Sequence, residues 1–88
     1  MKDQSITYQI GRYPMRKTGV DDFGLWQEHE SNGQPWEFID VSVTKYIDGD
    51  LVDEVDAVDD LPTVAASESA IKRFQILYPN AYFEDLLT

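Results

Sequence analysis

The chain has no cysteine, which excludes disulfides, thiol nucleophiles and thiolate metal sites together. It has a single histidine, His29. A zinc site would therefore need carboxylates for its other ligands, and a catalytic triad would need a nucleophile placed beside that one imidazole. No apolar run approaches the length of a membrane span. The segment MKDQSITYQIGRY lacks the apolar stretch of about seven residues that a signal peptide requires, so a cytoplasmic address is expected. GxGxxG, GxxxxGK and GxSxG patterns are all missing, and nothing implies a cofactor. Basic residues are scarce, with 7 Lys and Arg against 17 Asp and Glu, a net charge of −10.

What is present describes one small domain spanning residues 1–88. A chain of this length buries roughly two-thirds of its unfolded surface. Its 42% apolar and 12% aromatic content is too high for disorder. The charge is uneven. Residues 1–20 carry Lys2, Arg12, Arg16 and Lys17 against Asp3, a local +3, so the remainder carries −13. Such a surface repels nucleic acid and anionic membranes and attracts basic proteins. Direct nucleic-acid binding is disfavoured, because affinity for phosphates comes from Lys and Arg.

Hydropathy patterning divides the chain. In residues 5–13, SITYQIGRY, Ile6, Tyr8 and Ile10 alternate with Ser5, Thr7 and Gln9, as in a half-buried strand. Residues 14–22 read as a polar loop punctuated by Pro14 and Gly19. Residues 23–30 and 36–47 read as strands joined by an Asn32-Gly33 turn, with His29 opposite Glu37. Residues 51–58 form a fourth strand. A three-residue loop, Asp48–Asp50, would set Lys45 opposite Asp53, Val43 opposite Val55 and Val41 opposite Ala57. The shared apolar face would then hold Phe23 and Leu25, Ile39, Val41, Val43 and Ile47, and Leu51, Val55 and Ala57. A helix starting at an N-cap Ser67, with Ala70, Phe74 and Leu77 in a stripe flanked by Ile71 and Tyr78, would cover that face and stop at Pro79. Residues 81–87 could return as an edge strand. The expected fold is α+β: an antiparallel meander of three to five strands with one helix on one face.

The run DGDLVDEVDAVDD (48–60) places seven carboxylates in thirteen residues. As a calcium loop it fails, since Val52, Asp53 and Asp59 occupy the positions that need an oxygen ligand, glycine and glutamate. No metal is expected. General acid catalysis needs a buried carboxyl with a raised pKa, and these sit on turns or an outer face, so enzymatic activity is not expected. Alternation gives the second sheet face Trp26, Trp36, Phe38 and Tyr46 together with Asp40, Glu54 and Asp56, while Asp48, Asp50, Asp59 and Asp60 lie at strand ends. Aromatic anchors ringed by charge resemble a partner-binding surface. Two plainer readings stand beside it: the first strand or the 14–22 loop folds over Trp26 and Phe38, and the acidic run is a solvated face that confers solubility. Fixed negative charges along the ridge could also imitate a nucleic-acid backbone and occupy a Lys/Arg channel built for phosphates.

A small, cysteine-free, acidic α+β chain with tyrosine and tryptophan on its sheet resembles the inhibitors that bacteriophages encode against their hosts, anti-CRISPR proteins and anti-restriction DNA mimics. The tail VAASESAIKRFQILYPNAYFEDL, about a quarter of the chain, resembles the helix-then-strand half of a phage inhibitor of bacterial RNA polymerase. There too a Ser/Glu-capped helix ends in a tyrosine before the return strand. The resemblance implies a non-enzymatic inhibitor whose partner is a basic host protein, such as a CRISPR effector or another nucleic-acid-handling complex. It transfers no functional residues. The alternative expectation is a structural or assembly module docking through the aromatic face or a sheet edge. The oligomeric state is left open.

Overall fold

The structure, a computed structural model, describes residues 4–87. These form β1 (Ile6–Val20), β2 (Trp26–Glu30), β3 (Phe38–Ile47), β4 (Asp50–Leu61), α1 (Val64–Leu77) and β5 (Tyr82–Asp85). The order across the sheet is β2-β1-β3-β4, all antiparallel, and β5 adds to β1 in parallel. One helix packs on one face, so the architecture is α+β, as the patterning predicts. Among the described residues no helix is long and apolar enough to cross a membrane.

β1 is longer than predicted. It runs straight through residues 14–20, read from the sequence as loop. Proline is tolerated because of where its missing donor falls. The Pro14 carbonyl accepts from Ser31 N (2.9 Å), on the flank of β1 opposite β3. On that flank β5 ends beside Arg12 and β2 ends beside Met15. Pro14 occupies the gap between the two, where no strand needs its N–H.

This extension moves β2. The hairpin forms between β1 and β2, pairing Val20 with Trp26 and Arg16 with His29. The predicted β2–β3 pairing and the His29–Glu37 apposition are therefore corrected. Phe23 and Leu25, expected in the core, are exposed, Phe23 at 89%. The Asn32-Gly33 pair does adopt positive φ (48° and 86°). It turns a corner rather than closing a hairpin: residues 31–37 carry the chain past β1 from its β2 flank to its β3 flank. Ser31 N bonds to Pro14 O and Glu37 N to Met15 O (2.8 Å) along the way.

The β3–β4 turn is also shorter than predicted. Ile47 pairs with Asp50 across a two-residue Asp48-Gly49 loop, both residues at positive φ, the geometry that suits the twist of a hairpin. Starting from that register, strict alternation would place Glu54 against Val43. Three register shifts, each adding a residue on β4, prevent this. Lys45 still meets Asp53 as predicted, but Val41 meets Val58 and Val43 meets Asp56. Leu51, Val55 and Ala57 consequently lie exposed. Val58 and Leu61 pack against the core in their place.

The core joins Ile10 with Ile39, Val41 and Val43 under Ala70, Ile71 and Phe74. Thr63, not Ser67, caps the helix, its hydroxyl accepting from Ala66 N (3.1 Å). The helix thus starts about a turn earlier than predicted, and Ser67 becomes part of its buried stripe with Ala70, Ile71 and Phe74, spaced i, i+3, i+4, i+7. Leu77, predicted in the stripe, is 58% exposed. Tyr78 ends the helix before Pro79, and its ring packs against Tyr8.

One charged residue belongs to the helix-facing row of β1. Arg12 pairs with Val41 on one side and Asp85 on the other. Its side chain is 11% exposed, and both arms of its guanidinium donate to the Asp85 carboxylate, Nε to Oδ1 at 2.9 Å. Nη1 donates to the Ser67 hydroxyl at 3.2 Å, and Ser67 Oγ donates to Val64 O. The Arg12 hydrogen bond holds the Asp85 carboxyl below its ordinary pKa. Breaking such a pair leaves a charge stranded. Arg12→Ala is expected to lower unfolding free energy by about 3 kcal/mol, read from urea midpoints, and the joint Arg12→Met/Asp85→Leu change by less than the two single changes together. In the wild type this contribution is fully present above the ordinary carboxylate pKa and is lost as pH falls through the depressed Asp85 value.

Candidate functional site

The face away from the helix is built from the alternate row. β1 contributes Gln9, Gly11, Tyr13 and Met15, opposite Thr44, Ser42, Asp40 and Phe38 of β3. Gly11 is required in this row. A side chain there would overlap the Tyr13 ring, which lies across the glycine and floors the face. Beside it, Tyr46 Oη donates to Gln9 Oε1 (3.0 Å) and Gln9 Nε2 donates to Glu84 Oε2 (2.6 Å), a polar chain spanning β3, β1 and β5.

Next to that chain lies an open concavity of about 280 Å³, lined by Tyr13, Met15, Ser42 and four carboxylates, Glu30, Asp40, Glu54 and Asp59. Among the described residues no basic one lines it. Glu54 arrives by its register with Thr44. Asp59 arrives through the last β4 irregularity, where Asp60 takes a positive φ (58°) and its N–H donates to Asp40 Oδ1 (3.0 Å). Burial raises the Asp40 pKa. The Asp60 N–H bond opposes the shift, and the nearby charges of Asp59, Asp60 and Glu28 add to it. Burial, with the charges around it including Glu84 and Glu30, likewise raises the Tyr13 pKa. The concavity therefore concentrates negative potential over an aromatic floor, an arrangement that suits a cation. Among the described residues no group of three or more acidic or histidine side chains is gathered so that it could hold a metal ion.

Of the predicted site residues, the concavity gathers Asp40, Glu54 and Asp59, with Asp60 bonded to Asp40 at the rim. Tyr46 shares the same face through its bond to Gln9. The others go elsewhere. Phe38 is only 7% exposed and cannot serve as an exposed anchor. Asp56 sits in register with Val43, a core residue, because the Val43/Thr44 irregularity removes it from the Glu54 row. Asp48 and Asp50 stand at the hairpin turn, where Asp48 Oδ1 accepts from Ser5 N (2.9 Å). Trp36 lines a separate hollow with Pro14, Ser31 and Leu87. Trp26 is 61% exposed at the end of the β1–β2 hairpin. Tyr13, Met15 and Glu30 are absent from the sequence reading of the site. The alternation of SITYQIGRY already places Tyr13 on the Gln9 row, and reading that strand through Pro14 would have added Met15.

The outer edge of β4 pairs with no strand among the described residues. Its carboxylates and irregularities blunt an edge that would otherwise template further strands. No protein-family model, curated protein or solved structure matches this chain.

Two outcomes follow from this geometry. The folded Asp40 carboxyl titrates above its unfolded value, so its ionisation costs stability once pH rises through the raised pKa. Asp40→Asn, which keeps an oxygen for the Asp60 N–H, is expected to melt higher than the wild type at pH 7. The difference should vanish in melts run below the ordinary carboxylate pKa. Gly11→Ala is expected to swing the Tyr13 ring off its seat. In two-dimensional NMR the shifts of Tyr13, Met15 and Ser42 should move, while those of Phe74 and Val41 stay in place.

Proposed function

We propose that this protein is a non-enzymatic inhibitor that docks a basic, nucleic-acid-handling protein through its acidic sheet face. A lysine or arginine of the partner enters the concavity. Glu30, Asp40, Glu54 and Asp59 meet its charge, and Tyr13 meets it with the face of a ring. The observation that carries this reading is the lining itself: four carboxylates around an aromatic floor, with no basic residue among the described ones. Asp60, bonded to Asp40 beside the concavity, extends the negative potential along β4, so a channel built for phosphates would find anions in their place. The resemblance to phage-encoded inhibitors of the anti-CRISPR and anti-restriction kind is consistent with such a partner, met in the cytoplasm of a bacterial host. Occupying the channel blocks it, and no bond need be made or broken.

The test is competition. Labelled DNA is bound to a panel of CRISPR effectors and restriction enzymes, and its displacement by this protein is followed by fluorescence anisotropy. Displacement of DNA from at least one member is expected, with an affinity that drops steeply between about 0.05 and 0.5 M salt as charges become screened. Glu54→Lys combined with Asp59→Lys should weaken it about 100-fold or more, because like charges then face each other. A reversed variant that displaces DNA as well as the wild type would sink the reading.

A further inference from the structure

Four exposed apolar side chains gather at one end of the molecule. The β1–β2 hairpin closes on a tight turn in which Asp21 Oδ1 accepts from Phe23 N (2.9 Å) and Leu25 N (3.0 Å), while Asp21 N donates to Leu25 O and Gly24 takes a φ of 80°. Those bonds hold out Val20, Phe23, Leu25 and Trp26, every one more than half exposed. A rigid tip of aromatic and aliphatic groups loses little entropy when it docks. The opposite end holds its complement. A groove of about 370 Å³ opens under the C-terminal end of the helix, lined chiefly by Ile6, Tyr8, Leu77, Tyr78, Ala81 and Tyr82. That volume falls at the small end of pockets that hold a ligand. Ile6 begins β1 and Val20 ends it. Fifteen residues at ~3.3 Å each span nearly the 50 Å long axis, so tip and groove sit at the two ends of the molecule.

We propose that copies of this chain associate head to tail, the apolar hairpin tip of one copy seating in the groove beneath the helix end of the next. The area agrees with a weak, specific contact. Phe23 and Trp26 can bury about 150–250 Å² each and Val20 and Leu25 less, so the tip and the lining it covers reach about 1,000 Å², the size of a weak, transient contact. The two surfaces differ, so the contact leaves a free tip and a free groove and continues to a ring or a filament. Each copy carries −10, and repulsion between copies opposes the contact. Salt therefore strengthens it, the reverse of the salt response expected for a basic partner.

Sedimentation velocity over the micromolar to millimolar range, at low and high salt, tests this. The wild type is expected to grow in mass with concentration, more so at high salt. Phe23→Asp, which keeps the groove, and Leu77→Asp, which keeps the tip, should each stay monomeric, with the association constant lowered about 30-fold or more. Their equimolar mixture should form a dimer and nothing larger. Both residues are exposed, so circular dichroism should show both variants folded. A wild type that stays monomeric throughout, single variants that assemble like the wild type, or a mixture that stays monomeric or grows past a dimer overturns the proposal. Phe23→Asp should keep its DNA-displacing activity, which separates failure here from failure of the inhibitor reading.

Discussion

The buried guanidinium of Arg12 is the interaction on which the arrangement of this fold depends. An unpaired charge under a helix would be far more costly than any single apolar contact could offset. Its partner, Asp85, lies on β5, and its third contact, Ser67, lies on the helix. One side chain thus ties together a strand, the helix that covers it and the last strand of the sheet. It also fixes the register of β5 on β1. Arg12 and Asp85 are register partners, and the Leu86 N–H bonds to the Arg12 carbonyl at the same place. The neutralised pair can then be roofed by Ser67 of the helix stripe.

On the other face the carboxylates are not neutralised by basic neighbours. Asp40 is the clearest case, partly withdrawn from water with other acidic groups around it. Like charges held together under partial burial raise the energy of the free molecule. A cation brought to the concavity lowers it again. The two faces of the sheet therefore treat charge in opposite ways, one satisfied internally by Arg12 and Asp85 and one without a basic partner among the described residues.

Much of this was legible in the sequence wherever alternation and helical spacing hold. The α+β class, the helix over the sheet, the core positions Ile39, Val41 and Val43, the Lys45–Asp53 apposition and a short strand near residues 81–87 all follow from periodicity and turn chemistry. What escaped that reading depends on neighbours far along the chain. Pro14 marks a loop until one knows that it sits between two strands on the same flank of β1. Asn32-Gly33 signals a hairpin, and its dihedral angles are those of one, yet the strands on either side of it pair with β1 and not with each other. The irregularities in β4 displaced Val55 and Asp56 from their expected rows, because repeated acidic and apolar residues in that run allow several registers. The site was half legible. Its acidic half, Asp40, Glu54 and Asp59, lay in the strands whose order was right, whereas its aromatic floor, Tyr13, lay in the strand read too short.

The pairing of residue 12 with residue 85 sets the sequence of events as the chain is made. The hairpins β1–β2 and β3–β4 join near neighbours and can form while synthesis continues. β1 lies against three other strands, and the face that receives the helix carries a guanidinium whose two-armed partner, Asp85, lies 73 residues downstream. Closing the core over that pair must therefore meet the entropy of a long-range contact. Until that contact forms, the carboxylates along β4 guard the open edge of a half-built sheet against pairing with other chains.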